Sequence, residues 1–193
     1  MTIQTFGQFK DDDLESQEYL TLNFAPSSTP QRQQRWQNYG LSADFLGDYF
    51  ATFFPGEEVP ESAINLKDTI KASVSYIANE LIENAVKYSD ESTHFPISIT
   101  LRLFDRDIIF QVTNYATQAI AQQYQQFVQT LQATDIAELY TQQLEKTALG
   151  EGGSSMGILT IIHDYSAQGG WRFEQLIDRP TISKVTVTMH LVV

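Results

Sequence analysis

Cysteine is absent from the 193 residues, which excludes disulfides, thiolate zinc sites and cysteine nucleophiles. Long apolar runs are missing too: none approaches the roughly 18 residues that a membrane-spanning helix needs. Residues 1–17 lack the apolar stretch of a secretion signal and carry Asp11, Asp12 and Asp13 instead. The chain therefore reads as soluble and cytoplasmic. Positive charge is also scarce. Twelve Lys and Arg face 24 Asp and Glu, a formal net charge of -12, and such a surface repels the phosphates of nucleic acids and anionic membranes. Neither is expected as a partner. What the sequence does have is 42% hydrophobic and 12% aromatic residues, enough for the packed core of a single domain.

Residues 1–16 are polar and acidic and read as a flexible tail ahead of one domain over 17–193. Within it, 17–60 form an N-terminal extension of strand and helix. Residues 19–24 alternate apolar and polar side chains, as a short strand does. Residues 25–30, with two prolines, are a turn. Helices are expected from 31–36 and over 41–50. Phe45, Leu46, Tyr49, Phe50, Phe53 and Phe54 make a dense patch there, read as core, with a homodimer or partner surface as the alternative. After a break at 55–60 comes a long helix over about 65–89. Residues 97–103 and 108–113 then alternate on either side of Asp105, Arg106 and Asp107, a hairpin. The glutamine-rich stretch 117–147 keeps apolar residues at helical intervals and reads as one or two amphipathic helices. Gly150, Gly152 and Gly153 form a loop, Ser154 or Ser155 can cap the helix over 156–165, and two strands, 171–177 and 183–192, close the chain. This order predicts an α+β fold, a two-layer sandwich with helices on one face of a mainly antiparallel sheet.

In the long helix, steps of four and three bring Glu80, Asn84 and Lys87 onto one polar face. Ile77, Leu81, Ala85 and Tyr88 recur at the same spacing on an adjoining face and anchor it in a core. A carboxylate, a neutral oxygen ligand and a cation thus share one stripe. Lys87 also lies four residues after Glu83, the spacing of an ordinary surface ion pair.

The run from Glu80 to Tyr88, Glu-Leu-Ile-Glu-Asn-Ala-Val-Lys-Tyr, resembles the N-box helix of the GHKL superfamily of histidine-kinase-like ATPases. Gly152-Gly153-Ser154-Ser155-Met156-Gly157-Ile158 is similar to that superfamily's glycine-rich phosphate-binding segment. The resemblance spans residues 66–193. It implies the histidine-kinase-like ATPase fold with ATP and Mg2+ as cofactors. Glu80 would be the general base and Asn84 the metal ligand. Lys87 and the segment Gly152, Gly153, Ser154, Ser155, Met156 and Gly157 would hold the phosphates, with 117–149 as the lid. Backbone amides at a helix start suit such an anion, and a carboxylate near it can take a proton from a hydroxyl.

The superfamily's Asp-x-Gly-x-Gly is replaced here by Asn114-Tyr115-Ala116, so that Asn114 stands where the adenine-binding aspartate would. None of His94, His163 and His190 sits in a phosphoacceptor context; His163 reads as a half-buried helix residue. The layout is closest to the stand-alone anti-sigma-factor serine kinases. That resemblance implies a serine/threonine protein kinase acting on a small STAS-like regulatory partner. The altered Asn114 region supports the alternative, a degenerate non-catalytic interaction module.

Overall fold

The structure, a computed structural model, describes residues 2–10, 16, 18–25, 36–54, 65–105, 107–150 and 156–193. Its elements in chain order are β1 (Ile3–Gly7), β2 (Glu18–Phe24), α1 (Trp36–Ala51), α2 (Leu66–Lys87), β3 (Ile97–Leu103), β4 (Asp107–Thr117), α3 (Gln118–Ala133), α4 (Ile136–Ala148), α5 (Met156–His163), β5 (Gln168–Gln175) and β6 (Ile182–Val192). The six strands form one sheet in the order β1-β5-β6-β4-β3-β2. Every pairing is antiparallel, so the α+β expectation holds and "mainly antiparallel" becomes wholly so among the described residues.

Alternation fixes which face of the sheet is buried. In β3, Ile97, Ile99, Leu101 and Leu103 are buried while the residues between them are half-exposed, the period-two pattern of a sheet covered on one side. Ile108, Phe110 and Val112 of β4 and Val185, Val187, Met189 and Leu191 of β6 continue the same layer. α2 lies on this layer through Ile70, Val74, Ile77, Leu81 and Ala85, and each buried large aliphatic side chain contributes about 1.5–3 kcal/mol. Asn65 starts the helix, its side chain accepting from the Lys67 N–H at 3.0 Å, with Asp68 in the first turn and Lys87 in the last to complement the dipole. α1 packs along α2 at Gly47, where any Cβ would overlap the Ser75 hydroxyl and the Lys71 carbonyl.

One expectation changes and two are narrowed. The segment 1–16, read as a flexible tail, contains β1, which pairs with β5 from Ile3↔Glu174 to Gly7↔Gly170. Four of its five residues are exposed, so its pairing rests on backbone hydrogen bonds and leaves little hydrophobic signal in the sequence. The aromatic patch divides. Leu46 and Phe50 are fully buried, whereas Phe45 and Phe53 are 49% and 44% exposed. The glutamine-rich stretch is two helices, separated where Asp135 caps α4 by accepting from the Ala137 and Glu138 N–H groups. Residues 31–35, expected as the start of a helix, lie outside the described residues. Among the described residues no helix is long and apolar enough to cross a membrane.

Candidate functional site

Glu80 projects from α2 onto the start of α5, and Asn84 follows it one turn later on the same helix. Asn84 is buried, and its amide nitrogen donates to the Glu80 backbone carbonyl at 2.8 Å. This bond orients the side chain and leaves the amide oxygen as its remaining acceptor. The Glu80 carboxylate is half-buried and seated on Gly157, in the first turn of α5, where a Cβ would overlap it. Burial first, and the nearby Glu83 carboxylate second, push the Glu80 carboxyl above the usual 4.5. A carboxylate held in this way binds a proton more readily than one in water.

Lys87 is exposed and reaches along the surface to Tyr88, with Nζ 3.4 Å from the hydroxyl and 4.8 Å from the ring centroid. Glu83 instead accepts from the Asn79 amide at 3.0 Å, so the surface ion pair anticipated from spacing is not the arrangement found. Met156 is half-buried and Gly157 buried at the α5 entrance. Gly152, Gly153, Ser154 and Ser155 lie outside the described residues. Asn114 is 1% exposed on β4, and its amide donates to the Tyr88 carbonyl at 2.9 Å, tying the end of α2 to the sheet. Glu80 and Gly157 are therefore brought together, with Asn84 one helical turn after Glu80, while Asn114 and Lys87 each contact Tyr88, the residue after α2.

Aromatic residues frame both ends, and apart from Tyr88 the sequence did not single them out. Tyr76, one turn before Glu80, stacks on Tyr165 at 5.4 Å, and burial pushes its phenol up while a hydrogen bond with Thr160 opposes this. Their common signal is the four-residue step from Tyr76 to Glu80 on α2. Tyr88 stacks face to face on Tyr124 of α3 at 4.3 Å. Tyr124 is fully buried, and its hydroxyl accepts from the Trp171 indole at 3.2 Å. Burial raises the Tyr124 phenol so far that it stays neutral. Next to Tyr165, His163 is exposed rather than half-buried. It stacks on Tyr140 of α4 at 4.4 Å, and Asp164 takes both the Tyr140 hydroxyl, at 3.1 Å, and the His163 Nδ1, at 2.6 Å. α4, which has no buried residue, is held to α5 at this point.

No protein-family model matches the chain, and neither does any curated protein. The fold is similar to that of a chain in the crystal structure of the SiaB-SiaC complex from Pseudomonas aeruginosa, with a TM-score of 0.58 and 15% identity over 89% of each chain. At that identity the likeness establishes a shared α+β fold over most of both chains.

Proposed function

We propose that this chain is a cytoplasmic signalling protein of the GHKL type that binds Mg-ATP and phosphorylates a serine or threonine on a small, STAS-like regulatory partner. The observation that carries the reading is the half-buried Glu80 carboxylate, held above its ordinary pKa against Gly157 at the start of a helix. ATP would supply the phosphoryl group and Mg2+ the neutralising charge. The donor set fits them. Asn84 offers a neutral oxygen, the ligand type magnesium accepts while keeping most of its waters. Gly157 lets the backbone of the first α5 turn come close, and Lys87 brings an exposed cation. Glu80 then takes the proton of the incoming hydroxyl. A partner protein is supported by the SiaB-SiaC neighbour, whose fold occurs in a two-protein complex. Self-association through exposed Phe45 and Phe53 belongs to the same reading, and sedimentation as a monomer at micromolar concentration removes it.

The test is calorimetric titration of the whole chain with ATP and ADP, with and without magnesium, beside Asn84→Ala. Magnesium-dependent binding that disappears in the variant supports the site, and Glu80→Ala should then abolish transfer to a partner while leaving nucleotide binding nearly intact. A non-catalytic docking module is the second reading, favoured by Asn114, whose amide is committed to the Tyr88 carbonyl. It predicts no thermal stabilisation at millimolar Mg-ATP.

A further inference from the structure

A cleft of about 410 Å³ opens at the C-terminal end of β4, lined by Phe95, Tyr115, Leu176, Ile177, Asp178 and Arg179. β4 and two connections build it: the segment between α2 and β3, and the turn joining β5 to β6. One wall is aromatic, with Phe95 and Tyr115 stacked at 4.2 Å. The other is aliphatic, and Ile177 is 75% exposed. The Arg179 guanidinium lies 5.3 Å from the Phe95 ring centroid and donates to the Thr93 carbonyl at 3.4 Å. That bond uses one of its five N–H groups. Asp178 puts the opposite charge beside it on the rim.

His94, immediately before Phe95, has φ 56° and ψ 21°, the left-handed conformation that ends the short 3-10 turn Glu91–Thr93, its N–H donating to the Glu91 carbonyl. It sits next to the aromatic wall. An exposed apolar cleft of ligand size with a few convergent polar groups has the make-up of a small-molecule site.

From these features we infer that the cleft binds an aromatic α-amino acid. Its carboxylate would pair with Arg179, its ammonium with Asp178, and its ring would pack between Phe95–Tyr115 and Leu176–Ile177. The cleft also touches the end of α2 by two links. The Asp90 N–H donates to the Tyr115 carbonyl at 3.0 Å, and Asn114, the neighbour of Tyr115, holds the Tyr88 carbonyl. The inference stands on its own residues and does not require nucleotide binding.

The test is titration of the full chain with L-phenylalanine and L-tryptophan, followed by calorimetry and by NMR shifts of the Phe95 and Ile177 amides. L-leucine and N-acetyl-L-phenylalanine amide serve as controls without the ring and without the charges. Binding of the aromatic amino acids at least about tenfold tighter than of either control is expected, with a comparable loss in Arg179→Gln and in Asp178→Asn. Both substitutions are on exposed side chains, so the variants should fold. Absence of binding at millimolar ligand, equal binding of the uncharged amide, or undiminished affinity in Arg179→Gln overturns the assignment.

Discussion

Gly157→Ala measures whether the Glu80 carboxylate occupies the place that the candidate site requires. Two effects of opposite sign meet at this position. Alanine is favoured over glycine within a helix by up to about 1 kcal/mol. Against this, the new Cβ overlaps the Glu80 carboxylate, and turning that side chain away from its preferred rotamer costs about 0.5–1.5 kcal/mol, to which the lost packing of a half-buried group adds. The single variant should therefore be neutral or destabilised by about 1 kcal/mol. With Glu80→Ala already made, the obstruction is gone, and the same substitution should stabilise by up to about 1 kcal/mol. The double-mutant cycle thus has a coupling of about 1–2 kcal/mol, several degrees in melting temperature for a domain of this size, at about 2–4 °C per kcal/mol. Urea and thermal melts of the four proteins measure it. If the two changes add to within about 0.5 kcal/mol, Glu80 does not sit on Gly157 and the site as described is wrong. Should the chain transfer phosphate, Gly157→Ala ought also to lower kcat by about a hundredfold, the usual penalty for a reacting group displaced by an ångström.

Stability should carry the mark of the raised Glu80 carboxyl. Below pH 4.5 it is protonated in both the folded and unfolded chain, and its contribution is fully present; the contribution is lost as pH rises through the folded value. Glu80→Gln should accordingly gain stability relative to the parent between pH 4 and neutrality by urea titration, and a constant difference across that range would contradict the burial. Any transfer activity should rise with pH through a value above the ordinary glutamate 4.5, and a rise centred at or below that ordinary value would contradict a buried Glu80 as the base. Trp171→Phe strands the buried Tyr124 hydroxyl and should cost about 1–3 kcal/mol; adding Tyr124→Phe should recover part of it in thermal melts. Asn114→Asp replaces the amide that donates to Tyr88 with a buried carboxylate facing a carbonyl, and a loss of about 1–3 kcal/mol in denaturant is expected. An unchanged midpoint would show that this bond is not formed.

The legibility of the fold follows from how each element is buried. α2 and the β3–β4 hairpin could be read because their apolar side chains recur at helix and strand periods on the face toward the core. β1 could not, since an exposed edge strand is defined by a partner distant in sequence. The same holds within the site. Glu80 and Asn84 share a helix, and helical spacing alone places them together. The seat of Glu80 on Gly157, the Tyr88–Tyr124 stack and the bond from Asn114 to Tyr88 each join different elements. No local pattern encodes such contacts. His163 belongs with these: its stack on Tyr140 joins two helices, and only its place within a helix could be read directly.

The strand order has a consequence for the birth of the molecule. β5 and β6, made after β1 to β4, form the middle of the sheet, with β1 on one side and β4 on the other. Until they leave the ribosome, β1 has nothing to pair with and β4 presents an eleven-residue unpaired edge that is open to other chains. The sheet cannot be zipped progressively from its first strand; it closes when the C-terminal hairpin is inserted like a keystone. Truncation at the C-terminus therefore splits the domain rather than trimming it, while loss of β1 removes only a rim.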